Sequence, residues 1–257
     1  MPGEILLDAR EVSKHFGGVI AVDGVSTQIR SGTIHAVIGP NGAGKTTFFN
    51  TLSGFYVPDS GSVTFEGRDI TRMPNWQRVA SGMGRTFQTP SIFPELTVHE
   101  NIQLGVRSRA GAAFRLRAAG NVQSRAIEAK VDELLGFVNL HGVKGRLVAE
   151  LSHGAQRLCE IAMSLSTDPK LVLLDEPMAG LAEAETERIM GVIRDLHGRL
   201  GLTVLFVEHN MRVVLSLADR ITVLDRGRLL AEGTPAEISA NAAVREAYLG
   251  REVLENV

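Results

Sequence analysis

The stretch "IHAVIGPNGAGKTTFFN", residues Ile34–Asn50, decides the fold. Its apolar opening, Ile34–Ile38 with His35 inside it, has the length and character of a buried strand, and Phe48 and Phe49 resume an apolar pattern after the break. Between them the pattern G-x-x-x-x-G-K-[ST] runs from Gly39 to Thr46. Gly39, Gly42 and Gly44 permit tight bends and bring N–H groups close to phosphate oxygens, where side chains would collide. Pro40, Asn41 and Ala43 fill the loop between them. Lys45 places a positive charge against the β- and γ-phosphates, and the Thr46 hydroxyl, with Thr47 beside it, can ligate Mg²⁺. The dipole of the helix that follows favours an anion at its start. Strand, glycine loop and helix together predict an α/β fold with a nucleoside triphosphate site.

Outward from this loop the chain keeps the same alternation. The first seventy residues carry short β signals ("EILLD", "GVSTQIR", "GSVTFEG") separated by Gly, Ser and Asp turns. After Leu151, helix and strand patterns take turns. Leu158, Ile161, Ala162 and Leu165 form a helical stripe, "KLVLLDE" reads as a buried strand, Ile189, Val192, Ile193 and Leu196 form a second stripe, and "LTVLFVEH" a second strand. Such alternation predicts a parallel sheet flanked by helices. "ITVLDRGRLLAEG" predicts a hairpin turning at Arg226-Gly227, and "TPAEI" a capping box from Thr234 to Glu237. The middle, from about residue 97 to 148, reads as helical. Within it the stretch "GVRSRAGAAFRLRAAGNVQSRAIEAK", from Gly105, carries Arg107, Arg109, Arg115, Arg117 and Arg125 before its own first acid, Glu128; a solvated face is the plain interpretation and partner or headgroup contact the sharper one.

Three further positions bear on chemistry. Asp175 ends an apolar strand, where a carboxylate can reach Mg²⁺, and Glu176 follows, where it can orient or deprotonate an attacking water. His209 follows the strand "TVLFVE" and is expected on the same sheet edge, able to hydrogen-bond both phosphate and water. Gln88, in "GRTFQ", is a candidate for contact with Mg²⁺ and water.

The whole chain sets outer bounds. It has 257 residues, 44% hydrophobic and 22% charged, with a formal net charge of −2. That is a globular balance with no general field for polyanions, so no nucleic-acid partner is expected. Cys159 is the sole cysteine, which excludes an internal disulfide. No signal-peptide pattern opens "MPGEILLDAR", and no apolar run approaches the roughly 20 residues that span a bilayer.

"GPNGAGKTT", "GRTFQ", "LSHGAQ", "LLDEPMAGL" and "FVEHNM" occur in order across most of the chain. This set resembles the ATP-binding subunit of an ABC transporter. The resemblance implies a RecA-like P-loop ATPase core with an N-terminal antiparallel β subdomain and an inserted helical subdomain. The core would take approximately residues 1–88 and 161–257 and the insertion, with the signature motif, 89–160. It further implies ATP and Mg²⁺, the metal held by Thr46, Gln88 and Asp175, and catalysis by Glu176, His209 and Lys45. Phe16, in "KHFGG", would stack on adenine. Gln88 would sit in the loop that senses the membrane subunit, and "LSHGAQ" would contact ATP on the opposite subunit. Within that motif Ser152 supplies a cap hydroxyl and Gly154 a close backbone donor. His153 is a variation, Ala155 replaces the usual amide beside Gln156, and Ala182 stands where an Asp or Asn is common.

"FGGVIAVDGVS", "GRTFQTPSIFPELTVHENI", "EHNM" and "AYLG" look most like the ATPases of hydrophobic and branched-chain amino acid importers. In that subgroup the partners would be two membrane permeases, one meeting the segment with Phe93 and Leu96, a second and different ATPase, and indirectly a substrate-binding protein. The location would be the cytoplasmic face of the inner membrane. Urea and short-amide importers use similar subunits. A lipopolysaccharide-type exporter is disfavoured by "GRTFQ" and "FGG". A translation or repair ATPase is disfavoured by the lack of tandem cassettes, and a non-hydrolysing module by Glu176 and His209.

Overall fold

The computed structural model describes residues 3–86, 92–114 and 121–252. Gln88 therefore lies outside the described residues, as do Arg115 and Arg117.

In chain order the elements are β1 (Ile5–Phe16), β2 (Val19–Arg30), β3 (Ile34–Ile38), α1 (Lys45–Leu52), β4 (Ser60–Phe65), β5 (Arg68–Asp69), α2 (Asn75–Ala80) and β6 (Met83–Arg85). Then follow α3 (Val98–Phe114), α4 (Asn121–Phe137), α5 (His153–Leu165), β7 (Leu171–Asp175), α6 (Glu183–Leu200), β8 (Thr203–Val207) and α7 (Met211–Leu217). β9 (Arg220–Asp225), β10 (Arg228–Gly233), α8 (Pro235–Ala240) and α9 (Ala242–Glu252) close the order.

The strands form two sheets. An antiparallel sheet has the order β2-β1-β4-β5, and the larger sheet has the order β10-β9-β3-β8-β7-β6. In the larger sheet β9, β3, β8, β7 and β6 run parallel, and β10 returns antiparallel along β9. Every residue of β3, β7 and β8 is buried, which is why these strands read as near-continuous apolar runs rather than alternating ones.

Alternation survives at the level of the two faces. Ala36, Ile38, Val172, Leu174, Val204 and Phe206 pack into one core with the stripes of α5 and α6 and with α3 and α4. Val37, Leu171, Leu173, Leu205 and Val207 pack into the other, with Phe48, Phe49 and Leu52 of α1 and with the antiparallel sheet. A strand's period of two sends neighbours to opposite sides, so the parallel sheet is sandwiched between a helical layer and an α1–β-sheet layer.

The hairpin at Arg226-Gly227 forms with φ of 47° and 79°, the left-handed pair that a two-residue turn matching strand twist requires. Thr234 and Glu237 form the capping box. α5 runs unbroken across the expected core boundary at residues 160–161, because its stripe from Leu158 to Leu165 is one continuous packed face. Arg107 and Arg125 are exposed. No helix among the described residues is long and apolar enough to cross a membrane.

Candidate functional site

The phosphate loop sits at the carboxyl end of β3. Two of its glycines are forced by neighbours: a Cβ at Gly39 would run into the Leu224 carbonyl oxygen, and one at Gly44, where φ is 92°, into that of Ala21. Lys45 is buried and curls back, its Nζ donating to the carbonyls of Gly39 (2.7 Å) and Pro40 (3.1 Å). This holds the loop as a closed bowl around the ammonium. The bowl is braced from outside, since the Gly227 N–H donates to Ala43 O (3.1 Å) and the Asp23 N–H to Gly227 O (2.8 Å). α1 then begins with no capping side chain and no acid in its first turn, leaving its N-terminal N–H groups without a competing carboxylate. Asn41, Gly42 and Thr46 are exposed at the mouth.

Asp175 ends β7 and Glu176 follows it, and Glu208 and His209 directly follow β8, so all four lie on the loop's edge of the sheet. Asp175 is buried; its Oδ2 meets Arg85 Nη2 at 3.3 Å, and its Oδ1 has no hydrogen-bond partner. Burial pushes its pKa up, nearby Glu176 adds to that, and Arg85 opposes it. Glu176 adopts φ 45°, an uncommon left-handed conformation for its residue type, and its N–H donates to Val207 O at 3.1 Å. The His209 side chain is largely exposed.

Sequence reasoning missed Glu208. It is buried, accepts from the Met178 N–H (3.0 Å) and the His209 N–H (3.1 Å), and so ties the loop after Glu176 to the loop holding His209. Its only signal was a carboxylate next to His209 at a strand end. Arg85 was also missed; it offered no signal beyond its place in "GRTFQ".

At the far end of the molecule's functional sequence, Ser152 caps α5 by accepting from the Ala155 N–H (3.3 Å). Ser152 and His153 are exposed, whereas Gly154 and Ala155 are buried. Gln156 does not replace the amide absent at 155: its Nε2 is committed to the carbonyls of Val148 (3.1 Å) and Leu151 (3.3 Å). Ala182 is the N-cap of α6 and makes no side-chain cap.

Phe16 is not a buried β aromatic. It is exposed at the tip of the β1–β2 hairpin, edge-on to Tyr56 with ring centroids 5.2 Å apart, and Lys14 Nζ lies 5.7 Å from its centroid. Phe93 is exposed too, held by Asn101, which accepts from its N–H and donates to its carbonyl.

A parallel sheet that presents a braced glycine bowl and two adjacent carboxylates at one edge defines a P-loop nucleotide-binding ATPase. Residues 22–179 match the family model described as ABC transporter, and residues 228–253 that of the branched-chain amino acid ATP-binding cassette transporter. The chain belongs to the ABC transporter family, and it is an ATP-hydrolysing subunit of that class. It is 36% identical over 95% of its length to 98% of the high-affinity branched-chain amino acid transport ATP-binding protein BraF of Pseudomonas aeruginosa. It is 38% identical, with the same two coverages, to LivG of Salmonella typhimurium, which bears the same description. Among solved structures it is similar to a nucleotide-free ATP-binding cassette from an ABC transporter, at 32% identity, TM-score 0.83, and coverage of 95% of this chain and 99% of that one.

Proposed function

We propose that this chain powers the import of branched-chain or related hydrophobic amino acids, docked on two membrane permeases and paired with a second ATPase subunit. The observation that carries the substrate class is the match of residues 228–253 to the branched-chain cassette model, beyond the general ABC match. The names borne by BraF and LivG support it.

In this proposal Lys45 and the N–H groups of Gly39, Gly42 and Gly44 hold the phosphates, and Phe16 stacks on the adenine. Mg²⁺ fits the residues present, because a buried carboxylate oxygen without a donor, Asp175 Oδ1, is a ready ligand for a hard cation. Thr46, Asp175 and Gln88 would hold it, and when bound it neutralises charge on the phosphates. Glu176 takes the proton of the attacking water while His209 positions that water against the terminal phosphate. Ser152 and Gly154, whose donors the Glu185 carboxylate holds in this chain alone, would turn them to the nucleotide held by the partner ATPase, so hydrolysis in that composite site removes contacts between the subunits and reopens the pair. The departures at Ala155 and Ala182 fall on this shared face. Phe93 and Leu96 lie on the surface that receives a permease.

The test is co-purification of the chain with its membrane partners, followed by ATPase assays with candidate substrates and a binding protein. Stimulation by leucine, isoleucine or valine is expected. Stimulation by urea or short amides alone would replace the substrate class.

A further inference from the structure

We propose that Arg85 is a positioning residue for Asp175, clamping one carboxylate oxygen to the phosphate-loop helix so that the other is left for the metal ion. The inference rests on the nucleotide site proposed above and goes beyond it in naming what aims the metal ligand.

Arg85 ends β6 and lies in register with Leu173 of β7, two residues before Asp175. Its side chain is 8% exposed, a costly place for a guanidinium, and burial lowers its pKa. The guanidinium carbon lies 5.0 Å from the ring centroid of Phe49 and 4.6 Å from that of Phe55. Within that aromatic slot Nη2 donates to Asn50 Oδ1 (2.7 Å) and Asp175 Oδ2 (3.3 Å), and Nη1 donates to Ser53 Oγ.

An arginine that only neutralised a carboxylate would favour the bidentate fork, with two parallel bonds to both oxygens. Here the fork is split. One arm spans Asp175 and Asn50, the other holds Ser53 just past the end of α1, and Asp175 Oδ1 is left buried and without a partner. A carboxylate oxygen in that condition costs free energy unless a cation or donor meets it. The next residue completes the grip, because Thr86 Oγ1 accepts from the Asp175 N–H at 3.4 Å and the Thr86 N–H donates to Leu173 O. Asn50 lies on the helix whose first turn carries Thr46. Arg85 thereby fixes the spacing between two of the candidate metal ligands, Thr46 on α1 and Asp175 on β7.

The experiment uses the purified chain and a fluorescent ADP analogue, titrated with Mg²⁺ and, separately, bound in EDTA. Arg85→Gln should raise the Mg²⁺ concentration for half-saturation about tenfold, the scale seen when partners of metal ligands are lost. Arg85→Lys should raise it too, since an ammonium keeps the charge but cannot span Asn50, Ser53 and Asp175 together. Affinity in EDTA should stay at the unsubstituted level, because the phosphate bowl carries it. On an Asp175→Asn background the Arg85→Gln effect on Mg²⁺ should vanish. If Arg85→Gln fails to fold, Asn50→Ala and Ser53→Ala, which each release one arm, should still raise the Mg²⁺ requirement. Unchanged Mg²⁺ half-saturation overturns the proposal. So does an equal loss of affinity with and without EDTA, which would make Arg85 a strut for α1 alone. An unsubstituted chain that binds no ADP in either condition would instead overturn the nucleotide site itself.

Discussion

The Gly154 N–H donates to Glu185 Oε1 at 3.2 Å, so the first turn of α6 caps the first turn of α5. Ser152, Gly154 and the Ala182 N–H together hold the Glu185 carboxyl below the ordinary glutamate range. Glu185 is the third residue of α6 and reaches back to its N-cap residue, supplying half of a capping box where Ala182 supplies nothing. Glu185→Ala should therefore lower the denaturant midpoint at pH 7 through both helix starts. A folded pKa below the unfolded one stabilises above the unfolded value and is lost as pH falls through the folded one. The two proteins' midpoints should thus converge in acid below the lowered glutamate pKa. A midpoint difference that persists there would assign the loss to packing instead.

Gly154→Ala tests the shared face. A Cβ there would lie 2.7 Å from Glu185 Oε1 and 3.0 Å from its Cβ, so Glu185 has to move and the close donor is displaced. With the partner ATPase present, turnover should fall about 100-fold, as for loss of a transition-state donor. ADP binding by the chain's own phosphate loop, measured without the partner, should hold. Equal loss of both would place Gly154 in the cassette's own stability rather than in the composite site.

Glu176→Gln removes the proton acceptor while keeping shape. The left-handed backbone at Glu176 and its N–H bond to Val207 O do not depend on the carboxylate, so the local fold should persist. ATP should bind, and single-turnover hydrolysis should drop about 100-fold or more. Undiminished hydrolysis would remove Glu176 from the chemistry.

What the sequence made legible follows from range. β3, β7 and β8 could be read because both faces are buried and short, mostly apolar runs have few other uses. The phosphate loop, the Ser152 cap, the Arg226-Gly227 turn and the Thr234 box could be read because each is complete within a few residues. Arg85 could not, since Ser53, Asn50 and Asp175 lie 32, 35 and 90 residues away along the chain. Glu185 reaches Gly154 across 31 residues, and Glu208 reaches Met178 across 30. Local pattern fixes elements; which carboxylate meets which donor is set only once the sheet order brings β6, β7 and β8 together. β6 itself, three residues long, is too short to show a period.

The glycines of the phosphate loop should separate by neighbourhood. Gly44→Ala meets the Ala21 carbonyl and a φ of 92° together, whereas Gly42→Ala meets a φ of 76° but nothing within 4 Å. Strain in a left-handed conformation costs about 1–2 kcal/mol, which both variants should show in denaturation. Only Gly44→Ala should also displace β2, and with it the brace at Asp23 and Gly227, so its loss of nucleotide affinity should be the larger. Equal losses would show that the Ala21 contact yields freely.

His35 gives the fold a pH limit. It is fully buried on β3, and its Nε2 lies 2.8 Å from Thr222 Oγ1. Glu232 Oε2 accepts from Thr27 (2.7 Å) and Thr222 (3.3 Å), and Arg220 pairs with Glu232 at 3.3 Å. Thr27 belongs to the antiparallel sheet and Thr222 to the parallel one, so this polar cluster joins the two. Burial pushes the His35 pKa down to about 4; Glu232 and Asp219 oppose that shift and Arg220 adds to it. The neutral ring is thus what the fold holds, and the unfolded chain binds the extra proton between the two pKa values. This contribution is complete above an unfolded pKa of about 6.5 and is lost as pH falls from there toward 4, on the order of 3 kcal/mol. Denaturant midpoints measured across that window should drop for the unsubstituted chain and flatten in His35→Gln, whose amide can still reach Thr222. Glu232→Gln removes the main charge that opposes the His35 shift, so the drop should deepen as pH falls. If His35→Gln keeps the full slope, the acid sensitivity belongs to other groups.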